Sequence, residues 1–397
     1  MTAPLDGIRV LDFTRVVSGP SCTKSLADLG AEVIKIEPPA GDMTRTAQPR
    51  VDGIPAYFAQ QNTGKRCISI DLTKDAGRDI ARQLAQTADV VVENFRPGIM
   101  DRYGLDYENL SGTNSGLIYC SITGFGQDGP ESDRRAYAPM MHAELGLLDL
   151  TSRRRGKGVV NEIASWADLQ TGLQAALAIV AALRHREIDG EGQFIDVTMA
   201  DTMLQMTEWT AVEWAGGEGD GLAIFGPVNA PLVTLADGTQ AVIPGDPVSS
   251  WKRWMDALDD PSVAGDPLFA TAEDRATNRA AMMTVIFDWA SAIPTFEDLE
   301  ELVSAAGLAA GRVRSVSDIP TAEWAVHRGA VVDVGLTEPL LLPLSPVRFS
   351  TLDAGTRGRP VHQGADNQTV LNDLLALDDD EIRRLTAEGV LIERPVS

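Results

Sequence analysis

The chain has 397 residues, of which 44% are hydrophobic and 23% are charged, a composition typical of a globular protein with two or three domains. Its net charge of −23 argues against nucleic acid and against an anionic membrane as partners. The longest apolar stretch, residues 173–183, is interrupted by glutamine and is too short to span a bilayer.

Strands and helices are predicted to alternate over the first 200 residues. Strands are predicted at residues 8–13, 31–37, 67–72, 89–94, 117–122 and 194–197. Helices are predicted between the first two strands and over 75–87, 168–186 and 200–213. Because helices connect successive strands, a parallel sheet is expected. The predicted fold class is α/β, with a Rossmann-like open sheet.

A smaller α+β domain is predicted in the second half of the chain. Residues 216–224 are glycine-rich and are predicted to form the linker to it. Apolar runs at 232–235 and 240–243, joined by Asp237-Gly238, predict a β-hairpin. Helices follow to about residue 310, and another is predicted over 377–388. We predict a large domain of residues 1–215, completed by 335–397, and a small domain of residues 225–330.

The cysteines and histidines give no indication of a metal site. The three cysteines, Cys22, Cys67 and Cys120, are scattered, as are the four histidines, and neither set has metal-ligand spacing. An odd number of scattered cysteines is typical of reduced thiols. The first residues lack a basic region followed by an apolar run, so we expect no secretory signal and a cytoplasmic protein.

Positive charge is concentrated in the first part of the chain. Residues 1–157 hold 19 basic and 20 acidic residues, whereas the remainder holds 15 and 37. Ligands of open α/β sheets bind at the carboxyl ends of strands, and several basic residues fall near predicted loops or strand ends: Arg15, Lys35, Lys65, Arg66, Arg96, Arg102, Arg134 and Arg135. Backbone amides around 16–18, at the first helix, can bind a phosphate. A ligand with several phosphates would explain this cluster, and surface ion pairing is the alternative.

Residues 124–129 match the pattern G-x-G-x-x-G of dinucleotide-binding loops. The pattern requires a helix whose N-terminus binds the pyrophosphate. Here Pro130 and a polar run follow instead, and the pattern comes after several βα units rather than in the first. We therefore interpret the segment as a glycine-rich loop and expect no nicotinamide cofactor.

Asp168 lies in the first turn of the predicted helix over 168–186, where the helix macrodipole favours its anionic form. Two interpretations follow. The carboxylate is an N-terminal cap, or it is a nucleophile or a base. The local residues alone favour the cap.

Long motifs occur in a fixed order over nearly the whole chain. They include residues 4–13 (PLDGIRVLDF), 18–20 (SGP), 28–37 (DLGAEVIKIE), 41–42 (GD), 62–66 (NTGKR), 89–98 (DVVVENFRPG), 190–193 (GEGQ) and 196–197 (DV). Together they resemble the class III CoA-transferase family, which contains formyl-CoA and carnitine CoA-transferases and α-methylacyl-CoA racemases. The resemblance implies a Rossmann-like large domain, a smaller domain and an interlocked homodimer.

The resemblance also implies the roles of particular residues. Asp168 occupies the family's Asp-x-x-x-Gly motif at the start of the long helix, which is the position of the catalytic aspartate. The implied CoA groove is formed by Arg15, Val16, Val17, Asn94, Phe95, Arg102, Arg135 and Tyr137. The basic cluster adds Lys65 and Arg66 to the predicted cofactor-binding residues.

The implied reaction moves CoA from an acyl-CoA to a carboxylic acid through an aspartyl-acyl anhydride and an aspartyl-CoA thioester. Each step exchanges a carboxylate for a thiolate, so no metal or redox cofactor is needed. Amides at helix starts can stabilise the oxyanions. The family's transferases often have a histidine where Arg15 stands, and a glycine-rich loop that closes over the site. Here that loop is either 216–221 or the region around 225–227.

A racemase or epimerase is the first alternative. The racemase branch uses a histidine and an aspartate as paired bases. Tyr137 stands where that histidine is expected, with His142 five residues further on, and Asp246 lies near the position of a further acidic residue. Tyrosine is a poor base at neutral pH, so we favour transfer over racemisation.

A non-catalytic protein that binds CoA or a nucleotide is the second alternative, and the intact Asp168 motif argues against it. A bulky apolar acyl group, rather than oxalate, is favoured by the large side chains of Met203, Met206, Trp209 and Trp214.

Overall fold

The computed structural model describes residues 2–216 and 230–394. The chain divides into two compact units. The first takes the described residues of Met1–Arg153, Lys157–Glu208 and Glu323–Ser397, and the second takes those of Arg154–Gly156 and Trp209–Ala322. Apart from Gly216, the linker predicted over 216–224 lies outside the described residues, and so does the alternative loop at 225–227.

A six-stranded parallel sheet forms the centre of the first unit. The first eight strands along the chain are β1 (Arg9–Asp12), β2 (Glu32–Glu37), β3 (Arg50–Val51), β4 (Ile54–Pro55), β5 (Arg66–Ser69), β6 (Val90–Glu93), β7 (Ile118–Thr123) and β8 (Gln193–Thr198). The sheet has the order β5-β2-β1-β6-β7-β8, and β3 and β4 form a separate antiparallel pair. The predicted α/β fold class is confirmed.

The helices of this part of the chain cover both faces of the sheet. They are α1 (Ser18–Asp28), α2 (Ala56–Asn62), α3 (Asp75–Gln86), α4 (Ile99–Tyr103), α5 (Tyr107–Ser111), α6 (Ala138–Glu144), α7 (Leu147–Arg155), α8 (Trp166–Asp189) and α9 (Met199–Met206). Successive residues of β1 point to opposite faces. Leu11 accordingly packs in the cluster that contains α3, and Val10 packs in the cluster that contains α1 and α8.

Helix α8 has 24 residues and contains an 18-residue apolar window with a mean hydropathy of 1.2, so it is long and apolar enough to cross a membrane by length and composition alone. The apolar stretch 173–183 is only part of this helix. Half of its apolar window is buried in the structure. The buried residues, among them Ala175 and Ile179, pack in the cluster that contains α1. A core helix of a soluble domain meets the same length and composition test.

The second unit contains a three-stranded sheet and several helices. Its strands are β9 (Leu232–Thr234), β10 (Gln240–Val242) and β11 (Gly311–Arg312), and its helices are α10 (Thr210–Trp214), α11 (Trp251–Leu258), α12 (Pro261–Ala264), α13 (Ala272–Thr277), α14 (Arg279–Ser291) and α15 (Phe296–Ala305). The antiparallel pairing of β9 with β10 confirms the predicted hairpin. The helix predicted over 200–213 is instead two helices, α9 and α10, because the chain is extended at Thr207.

The chain then returns to the first unit. The remaining elements are α16 (Glu323–Arg328), β12 (Val331–Asp333), β13 (Leu341–Pro343), α17 (Asn367–Leu375) and α18 (Asp379–Ala387). Short 3-10 helices occur at Met43–Thr46, Pro267–Phe269 and Val316–Thr321. Helices α17 and α18 contribute Val370, Leu371 and Ile382 to the core on the α3 face of the sheet.

Candidate active site

A cavity of about 440 Å³ lies at the carboxyl ends of β1, β6 and β7 in the first unit. This is the end of a parallel sheet at which open α/β proteins bind ligands. Its lining includes residues that follow these strands, residues of the segment before α6, and residues of α1, α8 and α9: Arg15, Val16, Ser18, Asn94, Phe95, Gly124, Arg135, Tyr137, Asp168 and Met199.

Most of the residues predicted for the CoA groove are brought together here. Seven of the predicted site residues line the cavity: Arg15, Val16, Asn94, Phe95, Arg135, Tyr137 and Asp168. Val17 does not line it, because its side chain is buried and its carbonyl accepts the Ser21 amide in the first turn of α1. Arg102 is exposed on α4 and is also absent from the lining.

Lys65 and Arg66 do not reach the cavity. The Lys65 ammonium is fully buried and donates to Asp12, Thr23, Asn62 and the Pro20 carbonyl. Burial lowers the pKa of Lys65 to about 8 despite the Asp12 carboxylate, so the group is still protonated at neutral pH. Arg66 forms ion pairs with Glu32 and Asp373. Both cations therefore support the fold, in place of the predicted contact with CoA.

Asp168 lies where α8 crosses the start of α1. The crossing is close at Gly172, where a Cβ atom would lie 2.1 Å from Ser21 Oγ and 2.4 Å from the Ser18 carbonyl oxygen. Since Asp168 lies about one turn before Gly172 on the same helix, it faces the first residue of α1. Hydrogen bonds from the Ser18 hydroxyl, the Ser18 amide and the Ala138 amide reach its carboxylate.

These contacts decide between the two interpretations of Asp168. Helix α8 begins at Trp166, its N-cap is Ser165, and the donors to Asp168 come from α1 and α6. The cap interpretation is therefore wrong. In the described part of the chain no lysine or arginine nitrogen lies within 4.0 Å of the Asp168 carboxylate. Burial raises the pKa of Asp168 to about 6, against the lowering effect of its hydrogen bonds. The group is ionised at neutral pH and more basic than an ordinary aspartate.

His142 is buried beside Asp168 and is engaged with the backbone. Its Nε2 accepts a hydrogen bond of 3.1 Å from the Ala167 amide, at the start of α8. Burial lowers the pKa of His142, so the ring is neutral at pH 7. Because the Nε2 lone pair is already used, His142 supports the helix that carries Asp168 and is not free to act as its partner base.

The loop between β1 and α1 is fixed by two side chains. Asn94 accepts the Arg15 amide at 2.9 Å, donates to the Arg15 carbonyl at 2.8 Å, and donates to Ser18 Oγ at 3.3 Å. Val16 has a φ of 69°, a strained conformation for a β-branched residue. Its amide donates to Asp42 at 3.2 Å. Asn94 thus orients the serine whose hydroxyl binds Asp168.

Four arginines line the cavity, and they differ in how they are paired. Arg134 forms ion pairs with Glu131 and Glu144. Arg96 and Arg135 have no ion pair within the described residues. Arg15 is half-buried, and its buried Nε has no hydrogen-bond partner within the described residues. A buried donor without a partner is costly, so Arg15 is suited to an anionic group of a ligand.

Tyr57 was not singled out by sequence reasoning. Burial and the neighbouring Asp168 and Asp42 carboxylates raise the pKa of its phenol, which hydrogen-bonds Ser165. Sequence reasoning also passed over Ser18 as a ligand of Asp168, although the family motif at 18–20 contains it.

No group of three or more His, Cys, Asp or Glu side chains in residues 2–216 and 230–394 is placed to hold a metal ion. The glycine-rich segment 124–129 is a loop that follows β7, and the helix after it, α6, begins only at Ala138. The absence of a metal and of a nicotinamide cofactor remains a prediction.

Comparisons with known proteins identify the class of this enzyme. The sequence pattern of CoA-transferase family III matches residues 5–367. Formyl-CoA:oxalate CoA-transferase of Streptomyces avermitilis is 33% identical over 416 aligned positions, covering 98% of this chain and 100% of the relative. Succinyl-CoA:glutarate CoA-transferase of Mus musculus is 32% identical over 396 positions, covering 98% and 90%.

A solved structure agrees with this result. The crystal structure of a CAIB/BAIF family protein from Brucella suis matches with a TM-score of 0.82 and 34% identity, covering 94% of this chain and 100% of that chain. The chain therefore belongs to CoA-transferase family III, and the predicted family is confirmed. It is a CoA-transferase, and CoA thioesters are the substrates of its family.

Proposed function

We propose that the protein moves CoA from an acyl-CoA donor to a carboxylic acid, with Asp168 as the nucleophile. The observation that carries this proposal is a half-buried carboxylate that has no cationic partner within the described residues and lies where α1, α6 and α8 meet. The pKa of this Asp168 carboxylate is raised to about 6. Such a group is ionised at neutral pH, yet poorly stabilised as an anion, which suits a nucleophile.

The proposed reaction has four exchanges. Asp168 attacks the thioester carbonyl and the C–S bond breaks, which gives an aspartyl-acyl anhydride and the CoA thiolate. The thiolate then attacks the aspartyl carbonyl, which releases the donor acid and leaves an aspartyl-CoA thioester. The acceptor carboxylate attacks this thioester, which releases the CoA thiolate and leaves a new anhydride between Asp168 and the acceptor acid. Finally the thiolate attacks the acceptor carbonyl, forming the new acyl-CoA and restoring Asp168.

The surroundings of Asp168 support this sequence. Each addition places negative charge on a carbonyl oxygen, and preorganised donors lower the energy of such an oxyanion. The Ser18 and Ala138 amides already donate to Asp168. Asn94, Phe95 and Arg135, which line the same cavity, are proposed to bind CoA.

Trapping the covalent intermediate tests the mechanism directly. The protein is incubated with a panel of acyl-CoAs without an acceptor acid, quenched with hydroxylamine and digested. We expect a hydroxamate on the peptide that contains Asp168. Transfer that proceeds while this peptide stays unmodified would refute the nucleophile.

Racemisation is the second candidate, and the engaged Nε2 of His142 argues against it. Asp246, the further acidic residue considered for that chemistry, forms an ion pair with Arg279 in the second unit. Incubation of an α-methylacyl-CoA in deuterated water separates the reactions. Exchange of the α-proton without an acceptor acid would favour the racemase.

A short dicarboxylic acid is proposed as a substrate, with one carboxylate at Asp168 and the other at Arg15. The unpartnered Arg15 Nε in the cavity supports this choice, and so do relatives whose names include oxalate and glutarate. Met203, Met206, Trp209 and Trp214, which favoured a bulky apolar acyl group in the sequence, are absent from the cavity lining.

Replacing Arg15 tests the substrate class. We expect Arg15→Gln to raise the KM for a dicarboxylic acid about 10- to 100-fold, the effect of losing one charged hydrogen bond. The KM for a monocarboxylic acid should stay within about twofold. Arg82→Gln, an exposed arginine on α3, is the matched control. An equal rise for both classes of acid would contradict the assignment.

We further propose a cytoplasmic homodimer. Apolar side chains on α8 are exposed in the single chain, notably Leu173 at 55% and Leu177 at 63%, and exposed apolar faces of this kind are typical of subunit interfaces. The three cysteines are buried free thiols, as expected in a reducing compartment. Sedimentation analysis tests the dimer, and a monomer at micromolar concentration would contradict it.

A further inference from the structure

Glu93 is a buried acid that the proposed mechanism does not use. It is the last residue of β6, its side chain is only 5% exposed, and it directly precedes Asn94 and Phe95 at the cavity. In the described part of the chain no lysine or arginine nitrogen lies within 4.0 Å of its carboxylate. A buried carboxylate without a cation is costly to the fold, so its position calls for a role.

Hydrogen bonds around Glu93 all point toward its carboxylate. The Phe95 amide donates to Oε2 at 2.8 Å, and the Ser121 hydroxyl donates to Oε1. Ser121 Oγ in turn accepts from Gln127 Nε2 at 2.6 Å. Because the single hydroxyl hydrogen of Ser121 is used toward Glu93, both carboxylate oxygens act as acceptors. This arrangement accommodates an ionised carboxylate.

The Phe95 amide connects this network to the active site. Phe95 lines the cavity, and Asn94, held between Glu93 and Phe95 in the chain, fixes the Arg15 backbone and Ser18. The Glu93 carboxylate therefore fixes the Asn94–Phe95 turn, and through Asn94 this turn fixes the conformation of the loop between β1 and α1.

We propose that ionised Glu93 is a positioning residue for CoA, which holds the Asn94–Phe95 turn in its binding conformation through the Phe95 amide and loosens that turn when protonated. The role in CoA binding rests on the proposed function of the cavity.

Burial and the groups around Glu93 bring the pKa of its carboxyl group into the neutral range. Burial raises the pKa of Glu93 to about 7; the Ser121 and Phe95 hydrogen bonds lower it, and the Asp196 carboxylate on β8 raises it. Charged or titratable groups that share a small cavity with Glu93 are Arg96, Asp101, Asp106, Tyr107 and Tyr119. As pH falls through about 7, Glu93 takes up a proton, which competes with the Ser121 hydroxyl hydrogen for the position between the two oxygens. The sequence of hydrogen bonds from Gln127 through Ser121 to Glu93 is then lost.

Binding of acyl-CoA should therefore weaken as the solution becomes more acidic. We expect the KM for acyl-CoA to rise about tenfold between pH 8 and pH 6, the effect of losing about one hydrogen bond. Glu93→Gln removes the charge without changing the shape. Its KM at pH 8 should match that of the unmodified protein at pH 6 and stay flat with pH.

Two further variants keep the test decisive. Ser121→Ala removes one donor that stabilises the Glu93 anion, so the inflection of the KM profile should move to higher pH. If Glu93→Gln does not fold, the Ser121→Ala variant provides the test. Glu191→Gln replaces an exposed glutamate outside the cavity lining and should leave the profile unchanged. An unchanged KM profile in Glu93→Gln, a loss in kcat alone, or an unmoved inflection in Ser121→Ala would overturn the proposal.

Direct binding separates this inference from the catalytic proposal. Calorimetric titration of CoA into Asp168→Asn removes the titration of Asp168 and requires no turnover. Because a phosphate monoester of CoA also titrates at about pH 6, the double variant Asp168→Asn/Glu93→Gln is titrated beside it. Affinity that falls about tenfold from pH 8 to pH 6 in Asp168→Asn, and clearly less in the double variant, supports the role of Glu93 even where no acid accepts CoA. Affinity independent of pH in this background overturns it, whatever the enzyme's transfer activity.

Discussion

Asp12 is buried and Asp168 is half-buried near the start of α1, and their electrostatic surroundings are opposite. Asp12 lies 3.1 Å from the Lys65 ammonium and accepts bonds from Thr14 and Thr23. Burial alone would raise the pKa of Asp12, but Lys65 and Lys35 outweigh it and hold the pKa below its ordinary value. Asp168 has no such cation, and its pKa is raised to about 6.

This difference separates support from chemistry. Around Asp12 the charges are paired, and the paired Lys35 and Asp42 extend the network to the Val16 amide. The network thereby holds the strained loop that carries Arg15 into the cavity. At the cavity, Asp168 and Arg15 lack such partners and are available to a substrate. Stability lost at an unpaired charge is a common feature of functional sites.

Removing the Asp168 carboxylate should produce the largest effect. We expect Asp168→Ala to lower the rate of CoA transfer by at least about 10³-fold, because loss of a nucleophile removes the covalent route. Steady-state kinetics with a dicarboxylic acceptor measures it. Asp189→Ala, at the far end of the same helix and about 30 Å away, is the control. Normal transfer by Asp168→Ala would exclude the proposed mechanism.

Removing a cation from the paired network should affect stability. Lys65→Met leaves the Asp12 carboxylate buried without the cation with which it forms an ion pair. Loss of one member of a buried ion pair costs about 3–5 kcal/mol, so we expect a decrease of that size in the free energy of unfolding in urea. Arg82→Met breaks the exposed pair with Asp79 and should cost less than about 1 kcal/mol. Equal effects would mean that the buried network does not support the loop.

The sequence was sufficient to predict the sheet but not to distinguish the two kinds of charge. The apolar run at 90–92 predicted β6, because a parallel strand covered on both faces is mostly apolar. Arg15 and Lys65 looked alike, since each is a basic residue near a strand end. Only the fold brings Lys65 to Asp12, 53 positions away, and leaves Arg15 Nε without a partner.

Contacts between distant positions also limited the prediction around Asp168. The motif identified the residue, yet local sequence favoured a helix cap. Its actual donors, Ser18 and Ala138, are far from it in sequence, and so is His142, which binds the Ala167 amide. Such contacts depend on how α1, α6 and α8 pack, for which no local pattern exists.

Replacing each aspartate by asparagine should sharpen the comparison, because the two changes have opposite signs. The pKa of Asp168 is raised from 3.8 to about 6 in the folded protein, so ionisation costs the fold about 2–3 kcal/mol at pH 8. Asp168→Asn removes that cost and should raise the free energy of unfolding by up to this amount. The gain should be complete above about pH 6 and disappear as pH falls towards 4, where the carboxyl group is protonated in both states.

Asp12→Asn should do the reverse, because the pKa of Asp12 is lowered and its anion is stabilised by Lys65 and Lys35. Its loss should destabilise the protein at neutral pH, with the difference shrinking only at acid pH, where Asp12 itself takes up a proton. Urea unfolding of both variants at pH 8, 6 and 5 measures the two trends. If Asp168→Asn destabilised the protein at pH 8 as Asp12→Asn does, Asp168 would be a structural carboxylate and not one held ready for chemistry.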